Sequence, residues 1–172
     1  MAVQTSVRQF LAGGVAGDIV LSGPVRAQAG ILATETAANN VIGRALTHVA
    51  NSDTNLVVGG TGAFAGILAN SKQYALVGNG LAPSMVLPNG IIAEGVTMCS
   101  GIMVSLANTG AIGDGIEFSQ SDGSLKANST GTASSGYTLI PGAKIVRFNA
   151  TAAGLAIIEL TPSSMVVVES ES

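Results

Sequence analysis

Charge is what this chain has least of. Lys, Arg, Asp and Glu together make up 10% of the 172 residues, against about 25% in an ordinary soluble domain. A free surface is normally kept soluble by charged side chains. A chain this poor in them either covers its exterior with Gly, Ala, Ser, Thr and Asn or buries much of it against neighbours. The second option suits a subunit with wide contact areas, the first a neutral-surfaced secreted or bacterial domain.

Basic clusters are missing too. The seven cations are scattered as Arg8, Arg26, Arg44, Lys72, Lys126, Lys144 and Arg147, and the net charge is −3. Nucleic-acid binding needs clustered cations that displace counterions along phosphates, so no nucleic-acid partner is expected. No run of about 18 apolar residues could form a spanning helix, and no membrane partner is expected. Gly13, Gly14, Gly17 and Asp18 interrupt the apolar stretch after Arg8, so a secretory signal is not expected.

Cys99 is the only cysteine and His48 the only histidine. An intrachain disulfide is therefore excluded, and a metal site would lack its usual His and Cys donors. The acids stand one by one, without the D-x-D-x-D-G spacing of a calcium loop. Cys99, between apolar neighbours, reads as a small buried hydrophobe. A Ser-His-Asp set could be drawn from His48 and Asp53, but no G-x-S-x-G elbow supports it. The glycines of the segment from Gly59 to Gly66 (GGTGAFAG) miss the dinucleotide fingerprint by a residue and lack a P-loop ending. They read as a bend or bulge between strands. No catalytic residue, cofactor or metal is expected. The absence of Trp, with two Tyr and four Phe, also counts against a carbohydrate-binding barrel, because sugars stack on aromatic faces.

What the chain does have is glycine (23 residues) and short apolar runs, alternating along its whole length. That is the texture of many short strands joined by turns. Ala45–Val49 and Asn55–Val58 flank the turn chemistry of Asn51-Ser52-Asp53. Ile116–Ser119 and Ser124–Ala127 flank Ser121-Asp122-Gly123, with Gly123 in the left-handed position of a hairpin. Further strands are expected at Ile19–Leu21, Val25–Ala27, Gly66–Ala69, Tyr74–Val77, Met85–Leu87, Ile91–Met98, Ile102–Leu106, Lys144–Phe148 and Leu155–Leu160. Helical signal is confined to a turn or two within Ala33–Ile42, with Thr34 as a cap. Gly17-Asp18-Ile19-Val20 is echoed by Gly113-Asp114-Gly115-Ile116. Gly43-Arg44-Ala45 and Gly142-Ala143-Lys144 follow at similar distances. The echo marks either two related β modules or a common turn.

The expected fold is mainly β: a single-domain antiparallel β-barrel or jelly-roll-like sandwich with extended arms at both ends. Residues 1–14 form the N-terminal arm, 15–160 the body and 161–172 the C-terminal tail. The candidate assembly contacts lie on the arms: Val7, Phe10 and Leu11 on one, Met165, Val166, Val167 and Val168 on the other. The tail's apolar run before Glu-Ser-Glu-Ser suits strand addition to a neighbour's sheet edge.

Several segments resemble the structural cement proteins of tailed bacteriophages. They are GDIVLSGP at 17–24, NVIGRA at 40–45 and GGTGAFAGIL at 59–68, then Gly113-Asp114, PGAKIVRF at 141–148 and AGLAIIEL at 153–160. The resemblance implies a barrel or jelly-roll body on the capsid exterior of a virion assembled in the host cytoplasm. It implies the major capsid protein and further copies of the chain, as a dimer or trimer, for partners. A tail or fibre component and a small ligand-binding β-barrel are the alternatives.

Overall fold

The computed structural model describes residues 14–71, 85–147 and 154–162. Within them nine strands form: β1 (Arg26–Leu32), β2 (Ala45–His48), β3 (Asn55–Val58), β4 (Phe64–Leu68), β5 (Ile92–Leu106), β6 (Gly115–Ser119), β7 (Leu125–Asn128), β8 (Tyr137–Arg147) and β9 (Gly154–Leu160). Of the two expected architectures, the barrel is the one observed, antiparallel except for the β1–β3 and β5–β7 pairs, which are parallel. The first five strands close on themselves in the order β1-β3-β2-β4-β5, with β5 returning to β1. The remaining four extend from the far half of β5 in the order β7-β6-β8-β9. They return to it through the β5–β9 pairing. The long strand β5 thus serves both circuits, and closure leaves few unpaired edges.

The two hairpins expected at 45–58 and 116–127 form in the expected places. Gly123 takes φ 68°, as a left-handed turn position requires. β5 differs from expectation. The break between Ile91–Met98 and Ile102–Leu106 is instead a continuous strand with a register irregularity between Cys99 and Ile102. Its Gly101 carbonyl accepts the Val20 N–H at 3.0 Å, so the bulge bends the strand from one circuit into the other rather than ending it. β8 likewise runs through Pro141-Gly142, where only its second half was expected.

The helical turn forms within the expected stretch but is differently capped. It is a single 3-10 turn at Ala37–Asn39 with Thr36 at its N-cap. Thr34 is buried instead, and its hydroxyl oxygen accepts the Val58 N–H at 3.0 Å. A β-strand amide therefore takes the bond that a helix start would have used. The expected strand Tyr74–Val77 lies outside the described residues, and of Met85–Leu87 only a bridge between Val86 and Val41 forms.

The glycine echo proves to be a turn. In Val15-Ala16-Gly17-Asp18 the Asp18 N–H donates to the Val15 carbonyl at 3.1 Å, and Gly17 takes φ 88°. Gly17 N–H then donates to Met103 O, and Met103 N–H to Asp18 O. Ala111-Ile112-Gly113-Asp114 repeats each bond, with Ile145 in the place of Met103 and φ 96° at Gly113. In both, the aspartate Oδ2 accepts the N–H of the residue three before it, at 2.9 and 2.8 Å. Val41-Ile42-Gly43-Arg44 makes the same backbone bonds against Leu68. Positive φ at the third position is why glycine stands there. The turn occurs twice in the first half of the chain and once in the second, so it is a recurring local device. Gly142 differs, since its carbonyl accepts the Thr161 N–H.

Two apolar clusters follow the two circuits. Leu32, Leu46, Leu56, Leu68 and Leu87 fill the barrel. Ile102, Leu106, Ile116, Phe118, Ile145 and Ile158 belong to the second cluster. A bulge in β4, where Leu46 pairs with Gly66 but Thr47 with Phe64, lets the strand serve both: Ala65 and Leu68 face the barrel, whereas Ile67 joins the second cluster. The β6–β7 turn seals the junction. Ala45 N–H donates to Gly123 O at 2.9 Å, Gly60 N–H to Gln120 O at 2.6 Å, and Arg44 Nη1 lies 3.4 Å from Asp122 Oδ2. Of the segment Gly59–Gly66, read as a bend or bulge, Gly59–Gly62 is a bend between β3 and β4 where the circuits touch, whereas Phe64-Ala65-Gly66 belong to β4.

Candidate assembly surface

Neither of the two residues on which sequence-level chemistry turned shows a catalytic arrangement. Cys99 is buried, and that burial pushes its thiol up to about 11, which keeps it protonated and a poor nucleophile. His48 Nε2 lies 3.2 Å from Gln28 Nε2, and Gln28 donates also to the Ala65 carbonyl at 2.6 Å. This pair bridges β1, β2 and β4. Among the described residues, no group of three His, Cys, Asp or Glu side chains is placed to hold a metal. No helix among them is long and apolar enough to cross a membrane.

The candidate contacts Val7, Phe10, Leu11, Met165, Val166, Val167 and Val168 all lie outside the described residues. The described body offers surface features that sequence reading did not single out. On β1 and β5 the register sets Ile31 opposite Ile92. They are 40% and 67% exposed, although both are large aliphatic residues. Ala27 and Ala29 on the same outward alternation of β1 are exposed too, while Gly30 and Leu32 are buried. The result is a row of Ala27, Ala29 and Ile31 beside Ile92 on the outer wall of the barrel, with the exposed Glu94 of β5 opposite Ala29. Paired exposed isoleucines of this kind mark contact sites more often than scattered ones.

The opposite feature stands on the second circuit. The loop Ser129–Gly136 is exposed throughout, yet it is tied down from beneath by Glu117, which is 1% exposed. Glu117 Oε1 accepts from Lys126 Nζ at 3.0 Å and from the Ser134 hydroxyl at 2.7 Å. Its Oε2 accepts from Asn128 Nδ2 and the Ser134 N–H, both at 2.9 Å. Burial alone would raise this carboxyl's pKa. The bonds from Ser134, Lys126 and Asn128 outweigh that and hold it at about 2. Asn128 Oδ1 in turn accepts the N–H groups of Thr130 and Gly131, and Lys126 Nζ sits 3.8 Å from the centre of the Tyr137 ring. Part of this was within reach of the sequence. Once the hairpin turn is placed at Ser121-Asp122-Gly123, Glu117 falls opposite Lys126. Asn128, two residues beyond Lys126 on β7, follows from the same register, whereas Ser134 comes from the loop's own closure and carries no such signal.

These features define a structural subunit: closed β circuits, a surface low in charge, an exposed isoleucine pair and a braced polar loop. The chain belongs to the structural cement protein family (E217 gp24/Pam3 gp6), whose sequence model matches residues 3–161. It is thus a phage cement protein, a virion component that associates with capsid proteins. In fold it is similar to a chain from the capsid of Myoviridae phage XM1, with a TM-score of 0.62 at 17% identity, covering 93% of this chain and 98% of the other. No curated protein matches it.

Proposed function

We propose that the protein binds the outside of an assembled phage head and ties neighbouring major capsid protein subunits together, through the barrel wall at Ile31 and Ile92. The observation that carries this reading is the exposed pair itself, set on the outer wall of a closed barrel whose chain belongs to a cement family. Cement stabilises by mass action: it binds the assembled shell better than the free parts, so the shell gains stability as sites fill. Symmetric dimers on two-fold axes or trimers on three-fold axes would each present several such walls to the lattice. The terminal segments, with Val7, Phe10 and Leu11 at one end and Met165–Val168 at the other, supply a second set of contacts by strand addition.

The test uses shells assembled without this protein. Wild type is expected to co-sediment with them and to appear by cryo-EM as density on the exterior. Ile92→Asp places a charge where the exposed isoleucine pair should lose water, and is expected to fold normally but to bind at least ten-fold more weakly. Wild type that leaves shells bare would overturn the role. Full binding by Ile92→Asp would overturn the assignment of the contact wall.

A further inference from the structure

Strand β1 outruns the strand beside it. The Leu32 N–H donates to the Ile91 carbonyl at 3.0 Å, while the Ile31 and Ala33 N–H groups donate to the Thr54 and Leu56 carbonyls at 2.8 and 2.9 Å. Even-numbered residues of β1 thus turn their backbone toward β5, and odd-numbered ones turn it toward β3. β3 begins at Asn55, opposite Ile31, whereas β1 continues from Gly30 to Arg26. Pairing with β5 persists along that length. On the other side, the N–H and C=O groups of Ala27 and Ala29 have no partner among the described residues.

An open edge of this kind is a template for another strand, and monomeric proteins guard it with Lys, Pro or a bulge. Arg26–Gly30 contains neither Lys nor Pro. The irregularity in its ladder falls on β5, where Thr97 is the extra residue between the partners of Ala27 and Arg26. The exposed residues Val25, Ala27, Ala29 and Ile31 alternate along the strand, as one face of it requires. Set antiparallel to itself about a two-fold axis at Ala27, the strand places Ala27 against its own copy and Val25 against the second copy's Ala29. Arg26 then stands against Gln28, so no like charges are opposed. Two edges that are already strands lose little freedom on pairing, whereas a terminal segment would first have to be ordered. The pairing is also isologous, so it closes and does not grow into a filament.

We infer that the free protein forms a symmetric dimer through antiparallel pairing of two β1 edges at Ala27 and Ala29. The two barrels then share one continuous sheet. Its two-fold axis is perpendicular to the sheet, so the Ile31–Ile92 pairs of both copies face the same way. The inference concerns the free protein and does not depend on shell binding.

Sedimentation and hydrogen exchange of the full-length protein test it together. Sedimentation should give a dimer that dissociates on dilution. The Ala27 and Ala29 amides should be protected in the dimer and exchange freely in the monomer. Ala27→Pro removes an edge N–H that the chain's own ladder does not use, and should fold while weakening the dimer roughly ten-fold or more. Should it fail to fold, Ala29→Lys, which guards the same edge with a charge, replaces it. A monomer or a trimer at every concentration would overturn the inference, as would a dimer that both substitutions leave unchanged. Protection of the two amides that ignores dilution and vanishes on deleting residues 163–172 would give the edge to the chain's own tail and overturn the dimer.

Discussion

The two circuits that share β5 bury their polar groups in different ways. In the barrel the buried polar side chains are neutral: Thr34, Asn40 and Thr47. Each of the two threonines serves one backbone group. Thr34 takes the Val58 N–H, and Thr47 donates to the Gly59 carbonyl. In the second circuit the buried set includes an ionised carboxylate, Glu117, with Asn128 and Ser119. Neutral side chains satisfy the backbone locally and cost little to bury when bonded. A buried carboxylate is costly unless fully partnered, and then it fixes the groups that partner it. So the barrel is specified mainly by apolar packing, whereas the second circuit also carries a polar brace that orders an exposed loop.

The sharpest way to break that contrast is Glu117→Ala. It leaves the Ser134 N–H, Asn128 and Lys126 without their shared acceptor. Removing one partner of a buried ion pair costs about 3–5 kcal/mol, although Lys126, with its side chain 23% exposed, can recover part of this from water. Denaturant unfolding should show that loss, and hydrogen exchange should show residues 129–136 losing protection first. An equal loss of protection in β1–β4 would mean that the two circuits fold as one unit and that the contrast has no energetic content.

A change of pH tests the same carboxylate without mutation. Its pKa falls from an ordinary 4.5 to about 2 in the folded chain. The folded-state value is the lower one, so the stabilisation is complete above about pH 4.5 and is lost as pH falls toward 2. The shift corresponds to about 3 kcal/mol. Asp122, whose pKa is also lowered because bonds from Ser119, Ser124 and Arg44 outweigh its burial, adds to the slope in the same direction. Wild type should lose stability between pH 5 and pH 2, and Glu117→Gln should give a flatter profile across that window. Identical profiles would remove Glu117 from the account.

How much of this was legible in the sequence follows from how local each feature is. The hairpins at 45–58 and 116–127 were legible because their turns are written in consecutive residues, Asn51-Ser52-Asp53 and Ser121-Asp122-Gly123. The mainly β fold was legible from glycine spacing. β5 was not legible as one strand, because Ser100-Gly101 looks like a break. Only the segment at Val20 and Leu21, donating to the Gly101 carbonyl, makes it a bend. The apolar wall escaped notice for a related reason. Ile31 and Ile92 are 61 residues apart in sequence and become neighbours only through the β1–β5 register. In Ile91-Ile92-Ala93 nothing distinguishes the exposed isoleucine from a buried one, since a strand's phase is fixed by its partners.

Thr34 gives the smallest and most local test of the barrel side of the comparison. Its neighbours Ala33 and Glu35 are exposed while it is 5% exposed, and its hydroxyl oxygen accepts the N–H of Val58 at the end of β3. Thr34→Val keeps the shape and removes the acceptor, leaving a buried amide unpaired at a cost of about 1–3 kcal/mol. No charge is involved, so the loss should be the same at pH 7 and at pH 3, unlike that of Glu117→Ala. Urea midpoints at the two pH values measure this directly. A pH-dependent loss at Thr34 would show that the barrel shares the carboxylate's brace through the Gly59–Gly123 junction, and the division between neutral and ionic burial would then have to be drawn elsewhere.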